Sequence, residues 1–261
     1  MNYIHIKSLE TKELQIYHNL RDKSLKGEKY FIADSPKVVN ILLQREDIEI
    51  KSLLATKEYY EEFREFLESK NIPIAYVADK RVMQEIVGHK VHHNCMMHGV
   101  RPNQTDLKNL GKHIIMLDAI TSTENVGSIA RSAAALGVNS YLLPKNAPHP
   151  YSRRALRVSM GHISKINYSI YEDIADTIKR LQSDGYKVFA AELSEASIKL
   201  KNINIPEKWV LLMGHEGKGL SKNIIDMCDE LVEIEMYSDV RSLNVGVAAS
   251  IMMYHFKNMV I

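Results

Sequence analysis

A chain of 261 residues, 45% hydrophobic and 25% charged, has enough material for two ordinary domains with true cores, and its net charge of +2 argues neither for nor against a nucleic-acid partner. Its apolar stretches fall well short of the roughly 20 residues of a membrane-spanning helix, so a soluble protein with no membrane partner is expected. Cys95 and Cys228 have no paired spacing, which gives no disulfide framework and points to a reducing cytoplasm.

In chain order, the pattern predicts a basic helix near Ser8 to Lys23, a strand at "YFIA", a helix from Ser35 to Gln44 and a strand at "IKSLLA". An acidic helix at "KEYYEEFREFLESK", a strand at "PIAYVA" and a helix from Asp79 to Val87 follow, which together read as a small α/β sandwich over residues 1–101. "GHKVHHNCMMHG" gathers metal-ligand types, but its spacing is not that of a zinc site and its strand-like pattern sends alternate side chains to opposite faces. We therefore expect no metal. Residues 102–112 are polar and lack an apolar period, as a linker would. From 113 to 261, strands at "HIIMLDAI", "SYLLP", "KVFAAEL", "WVLLMG" and "ELVEIEM" alternate with helical stretches, which implies a mostly parallel sheet covered on both faces.

Between Asn125 and Tyr171 there is no Asp or Glu, while Arg131, Lys145, Arg153, Arg154, Arg157 and Lys165 all occur. If "YSRRALRV" is helical, Arg153 and Arg157 project from one side with Arg154 beside them, as a phosphate-binding face would. The same run also fits a solvated helix face.

Three strand-to-helix junctions carry the polar residues at the carboxyl ends of strands, where ligands gather in open α/β sheets. The first, "LDAITSTENVGSIARSAAALGV", leads into a helix from near Asn125 that stops at Gly137, with Gly127 leaving room beside Arg131 four residues on. The second is "LLMGHEGKGLS". It fails the Walker pattern, because Lys218 precedes Gly219 and Leu220 follows it, and it fails the dinucleotide pattern, because the third glycine position is Lys222. In the third, "IEMYSDVRSLNVGVAASIMMYH", Ser242 is the expected N-cap of a helix that is apolar on most sides.

Asn125/Gly127/Arg131, Gly214 through Leu220 and Ser242 through Val245 together resemble, in order and spacing, the three motifs of the SpoU/TrmH family of RNA ribose methyltransferases in the SPOUT superfamily. The first hundred residues look like the ribosomal-protein-like RNA-binding domain that many members carry. The resemblance implies a C-terminal SPOUT-type parallel sheet tied in a trefoil knot over 113–261, a substrate-binding domain over 1–101, S-adenosyl-L-methionine as cofactor, rRNA or tRNA as partner, and a homodimer whose site is completed across two subunits. It implies that Gly214, Ile234 and Leu243 line the cofactor pocket, with Met213, Met236, the Gly219 loop and the loop after "FAAEL" closing around it. A valine at 214 is then expected to occupy the ligand's space. Glu235 departs from the family, where many members have proline.

By the same likeness Arg131 is the catalytic residue. A guanidinium holds its proton far above neutral pH and is a poor base, so we read it as an electrostatic clamp on a developing alkoxide, oriented by Glu216. Asn125, Ser242 and Asn244 would position the RNA backbone, and Arg153, Arg154 and Arg157 would meet phosphates. The alternative is a non-catalytic RNA-binding protein on the same scaffold.

Overall fold

A computed structural model describes residues 2–6, 12–18, 29–88, 90–237 and 242–258. They divide into two compact units, one made of Met1–Asn103 with Tyr151–Ser164, the other of Gln104–Pro150 with Lys165–Ile261.

The first unit holds β1 (Tyr3–His5), β2 (Tyr30–Asp34), α1 (Pro36–Leu42), β3 (Ile50–Ala55), α2 (Lys57–Glu62), α3 (Arg64–Glu68), β4 (Ala75–Val77), α4 (Lys80–Val87) and β5 (Cys95–Val100). The sheet order is β1-β4-β3-β5-β2, with β5 antiparallel to both neighbours and the other pairs parallel. Ser35 caps α1 by accepting the Val38 N–H, and Pro36 takes the first helical position, where no donor is needed. The acidic stretch expected as one helix is two, because Phe63 leaves helical geometry (φ −108°, ψ 21°). Of the expected basic helix, only a 3₁₀ turn at Lys12–Tyr17 is described; the rest lies outside the described residues.

His89, at the start of the histidine-rich stretch, also lies outside them. On β5, Cys95 and His98 are an odd number of residues apart and face opposite sides of the sheet. Burial pushes the Cys95 thiol well up and the His98 imidazole down to about 4. No group of three or more His, Cys, Asp or Glu suited to a metal occurs among the described residues.

The second unit contains β6 (His113–Leu117), α5 (Thr123–Ala135) and β7 (Ser140–Pro144). After the excursion that carries α6 (Arg153–Val158), it continues with β8 (Asn167–Tyr171), α7 (Ile174–Ser183), β9 (Lys187–Ala191), β10 (Ile198–Lys199), β11 (Trp209–Met213), α8 (Lys222–Ile225), β12 (Glu230–Glu233) and α9 (Val245–Asn258). Every pair in the sheet, ordered β10-β12-β9-β11-β6-β7-β8, is parallel. Both faces are covered, as a parallel sheet requires. Ile114, Met116, Val188, Val210 and Leu212 pack with Ile178 and Leu181 of α7. Phe189 and Trp209 meet Phe256 of α9 edge-on. No described helix is long and apolar enough to cross a membrane.

Residues 151–164, inside the acid-free stretch, count with the first unit, an assignment that a single linker at 102–112 does not provide. An ion pair and side-chain packing tie the segment to this unit. Asp34, at the end of β2, is 2% exposed, and its Oδ2 accepts from Arg153 Nε at 2.9 Å and Nη2 at 2.6 Å. Arg157 Nε stands 3.5 Å from Oδ1, an ion pair too long for a good hydrogen bond. Phe31 packs on Tyr151, and Gly161 (φ +82°) lies so close to α1 that a Cβ there would stand 3.3 Å from Ile41 Cβ and from the Val38 carbonyl oxygen. The expected helix is present, but two of its three arginines are turned toward a carboxylate. Arg154 is exposed.

Candidate functional site

Register aligns the carboxyl ends of the central strands: Met213 of β11 pairs with Leu117 of β6 and Ala191 of β9, and Ala191 pairs with Val232 of β12. Beyond this edge lies a cavity of about 460 Å³, within the roughly 300–1,000 Å³ of small-molecule sites. Met213, Gly214, Gly219, Ile234, Met236 and Leu243 all line it, so the structure gathers the six expected pocket residues around one space. Glu216 and Ser242 line it too, whereas Asn125, Arg131 and Asn244 do not.

The three junctions are joined by side chains. Asn125 Nδ2 donates to Glu216 Oε1 at 2.9 Å, and Asn244 Nδ2 donates to Asn125 Oδ1 at 3.2 Å. Glu216 also accepts the Ser122 N–H at 3.4 Å. Burial pushes the Glu216 carboxyl up, but the bonds from Asn125 and the backbone around Thr121 and Ser122 outweigh it, so its pKa lies below the ordinary value. Glu216 therefore holds Asn125 rather than Arg131. Arg131 is exposed on α5 and makes no hydrogen bond or ion pair among the described residues.

Local chemistry explains each helix start. Ser122 caps α5 by accepting the Asn125 N–H at 3.3 Å, and Gly137 (φ +71°) ends it, with Val138 N–H reaching back to Ala133 O. At α9 the cap is Asn244 rather than the expected Ser242: its Oδ1 accepts from Gly246 N at 2.9 Å and Val247 N at 3.4 Å. The helix begins at Val245, which leaves Ser242 three residues before the first turn and its side chain free to face the cavity.

In the glycine loop, His215 N–H and C=O exchange bonds with Gly219, and His215 Nδ1 accepts the Gly217 N–H at 2.9 Å. The loop folds on itself so tightly that a Cβ on Gly214 would lie 2.7 Å from the Gly219 carbonyl carbon and 2.8 Å from Leu220 N. The glycine is needed for the loop's own closure, which corrects the expectation that its missing side chain makes room for a ligand. Gly214→Val should therefore lower the melting temperature of the ligand-free protein, as overpacking by about 1–3 kcal/mol would. An unchanged melt would refute this account.

Two carboxylates at the strand ends have no place in the three motifs. Asp118 follows β6, its N–H donating to Met213 O at 2.8 Å, and burial raises its pKa against the opposing pull of His215. Glu192 follows β9 and lines the cavity. Their positions directly after buried strands were the available signal.

The SpoU rRNA Methylase family model matches residues 112–254. A protein of Staphylococcus aureus (strain COL), assigned by name to the TrmH family of tRNA/rRNA methyltransferases, is 33% identical over 141 residues, which cover 54% of this chain and 56% of the relative. The chain thus spans about half the length of the curated relatives it matches. Among solved structures, an AdoMet-bound rRNA methyltransferase from Sinorhizobium meliloti superposes with a TM-score of 0.83 at 21% identity, covering 99% of both chains. The SpoU methyltransferase AviRb from Streptomyces viridochromogenes gives 0.80 at 19%, covering 95% of this chain and 97% of its own. These two likenesses carry the fold. With its motif junctions converged at one cavity and the family model covering more than half its length, the chain belongs to the SpoU methylase family.

Proposed function

We propose that the protein transfers a methyl group from S-adenosyl-L-methionine to a ribose 2′-hydroxyl of rRNA or tRNA. The observation that carries this reading is the convergence of Glu216, Asn125 and Asn244, one from each motif, in a single hydrogen-bonded chain beside a cavity at the strand ends. The cavity suits that cofactor: Met213, Ile234, Met236 and Leu243 offer apolar surface, and the closed glycine loop presents backbone. When bound, the cofactor supplies an electrophilic methyl group on a sulfonium.

The chain's own residues do the rest. Glu216, Asn125 and Asn244 fix the junctions, and Ser242 at the cavity positions the RNA backbone. The Arg131 guanidinium stabilises the developing alkoxide, while water or a phosphate accepts the hydroxyl proton.

Arg131 is exposed and outside its own chain's cavity lining, and Val247, Ile251 and Tyr254 form an exposed apolar stripe on α9, which packs on α5. Both features support a homodimer in which Arg131 reaches the partner subunit's cavity. Light scattering should give a dimer at micromolar concentration; a fully active monomer would refute it. The placement of β12 between β9 and β10, strands that both precede it, supports a knotted C-terminal domain over 113–261. Residues 1–101 would bind the RNA substrate, joined through the 102–112 linker. The two free cysteines, one buried and one half-buried, suit a reducing cytoplasm.

Incubation with labelled S-adenosyl-L-methionine and total RNA, followed by digestion, should yield a ribose-methylated nucleoside. A base-methylated product would overturn the ribose assignment, and RNA retention without product would favour the non-catalytic reading.

A further inference from the structure

Glu192 is the first residue beyond β9 and lies on the carboxyl edge of the parallel sheet, where bound ligands meet open α/β folds. Its Oε2 accepts the Leu220 N–H at 3.0 Å and its Oε1 accepts the Leu193 N–H at 3.3 Å. A Cβ on Gly219 (φ +63°) would stand 2.5 Å from Oε2, so glycine at that position is what lets the carboxylate lie against the loop. A carboxylate has roughly four acceptor sites, and these two amides use half of them. Among the described residues no cation neutralises it.

Val232, Ile234 and Met213 of the cavity wall have no side-chain acceptor for a ligand's hydroxyl groups, which leaves Glu233, on β12, as the rival carboxylate in the lining. Glu216, the acidic residue of the glycine loop, is engaged by Asn125. A vicinal diol offers two O–H donors at the spacing of one carboxylate, and an acid at the end of a strand is a recurrent partner for a nucleotide's ribose. We infer that Glu192 binds the ribose diol of the cofactor's adenosine: Oε2 gives one lone pair to the Leu220 N–H of the glycine loop and Oε1 gives one to the Leu193 N–H, and the remaining lone pair of each oxygen takes the sugar. The inference rests on the reading of this cavity as the S-adenosyl-L-methionine site. Glu192 is thereby a specificity residue for the nucleoside half of the cofactor, separate from the groups that act on RNA.

Calorimetry with S-adenosylhomocysteine, 5′-methylthioadenosine and the 2′-deoxy and 3′-deoxy forms of the latter tests this. Glu192→Gln keeps a carbonyl oxygen for Leu220 N–H, so the loop contact survives while the charged acceptor is lost. We expect about tenfold or greater weakening for S-adenosylhomocysteine and 5′-methylthioadenosine alike. Removing a ribose hydroxyl should cost the wild type similarly and cost Glu192→Gln little more, because mutation and deoxygenation delete the same contact. Glu233→Gln, which removes the other carboxylate of this wall, should keep the wild-type response to deoxygenation; loss of that response in Glu233→Gln would move the diol contact to Glu233 and overturn the inference. Should Glu192→Gln fail to fold, the same cycle is read on Glu192→Asp, with the same coupling expected.

Equal deoxygenation losses in wild type and variant would reduce Glu192 to a loop clamp and overturn the inference. Weakened S-adenosylhomocysteine with unchanged 5′-methylthioadenosine would overturn it in favour of the ammonium group. A folded wild type that binds none of these ligands would overturn the cofactor reading as well, whereas binding without coupling overturns the inference alone.

Discussion

Arg131→Ala should lower single-turnover methyl transfer by about 10²–10³-fold, the scale on which loss of one group stabilising a developing oxyanion is felt. Binding of S-adenosylhomocysteine should stay within about twofold of wild type, because Arg131 does not line the cavity of its own chain. Folding should also be untouched, since the side chain is exposed and has no partner among the described residues. Lysine at this position should restore only part of the rate: it keeps the charge but loses the planar fork of donors. A variant that turns over at the wild-type rate would remove Arg131 from the chemistry, and one that loses cofactor affinity in proportion would make it a binding residue.

The second large effect concerns stability. Arg153→Ala should destabilise the protein by about 3 kcal/mol, at the low end for breaking a buried pair, because Arg157 remains near the stranded carboxylate. Asp34 is almost wholly buried, so water cannot take the arginine's place. Denaturant unfolding measures the loss. Adding Asp34→Asn to Arg153→Ala should recover part of it, since the uncompensated charge is then gone. A shift below about 0.5 kcal/mol would show that the pair is no more than a surface contact. The result bears on RNA binding as well. Replacing Arg153, Arg154 and Arg157 together would unsettle the fold before it reports on phosphate contacts, so Arg154, which is exposed, is the position at which to read a salt-dependent RNA contribution.

Much of this was legible in the sequence. "SYLLP" and "IKSLLA" coincide with β7 and β3, because buried strands bounded by turn residues have a local signature. The three junctions could be read because their chemistry requires particular residue types at fixed spacing. What escaped was set by distance in the chain or by brevity. β10 has two residues, β1 exposes all three of its side chains, and β8 alternates apolar residues with asparagine and serine, so none carries a strong apolar run. The cap of α9 went to Asn244 because Ser242 lies too far ahead of the first turn. The bond from Glu216 to Asn125 spans 91 residues, and no local pattern could choose it over Arg131. The partner of Arg153 lies 119 residues earlier.

That last separation has a consequence for how the chain is made. β2, with Asp34 at its end, is translated before the arginines that neutralise this acid, which come only with residues 153 and 157. At about 5–20 residues per second, the wait is roughly 6–24 s. During that interval the nascent first unit either keeps Asp34 in water, leaving the end of β2 unsealed, or buries an uncompensated charge. Its final closure is therefore late and long-range, and it is coupled to synthesis of the second unit's first two strands, which are translated before residue 153 arrives.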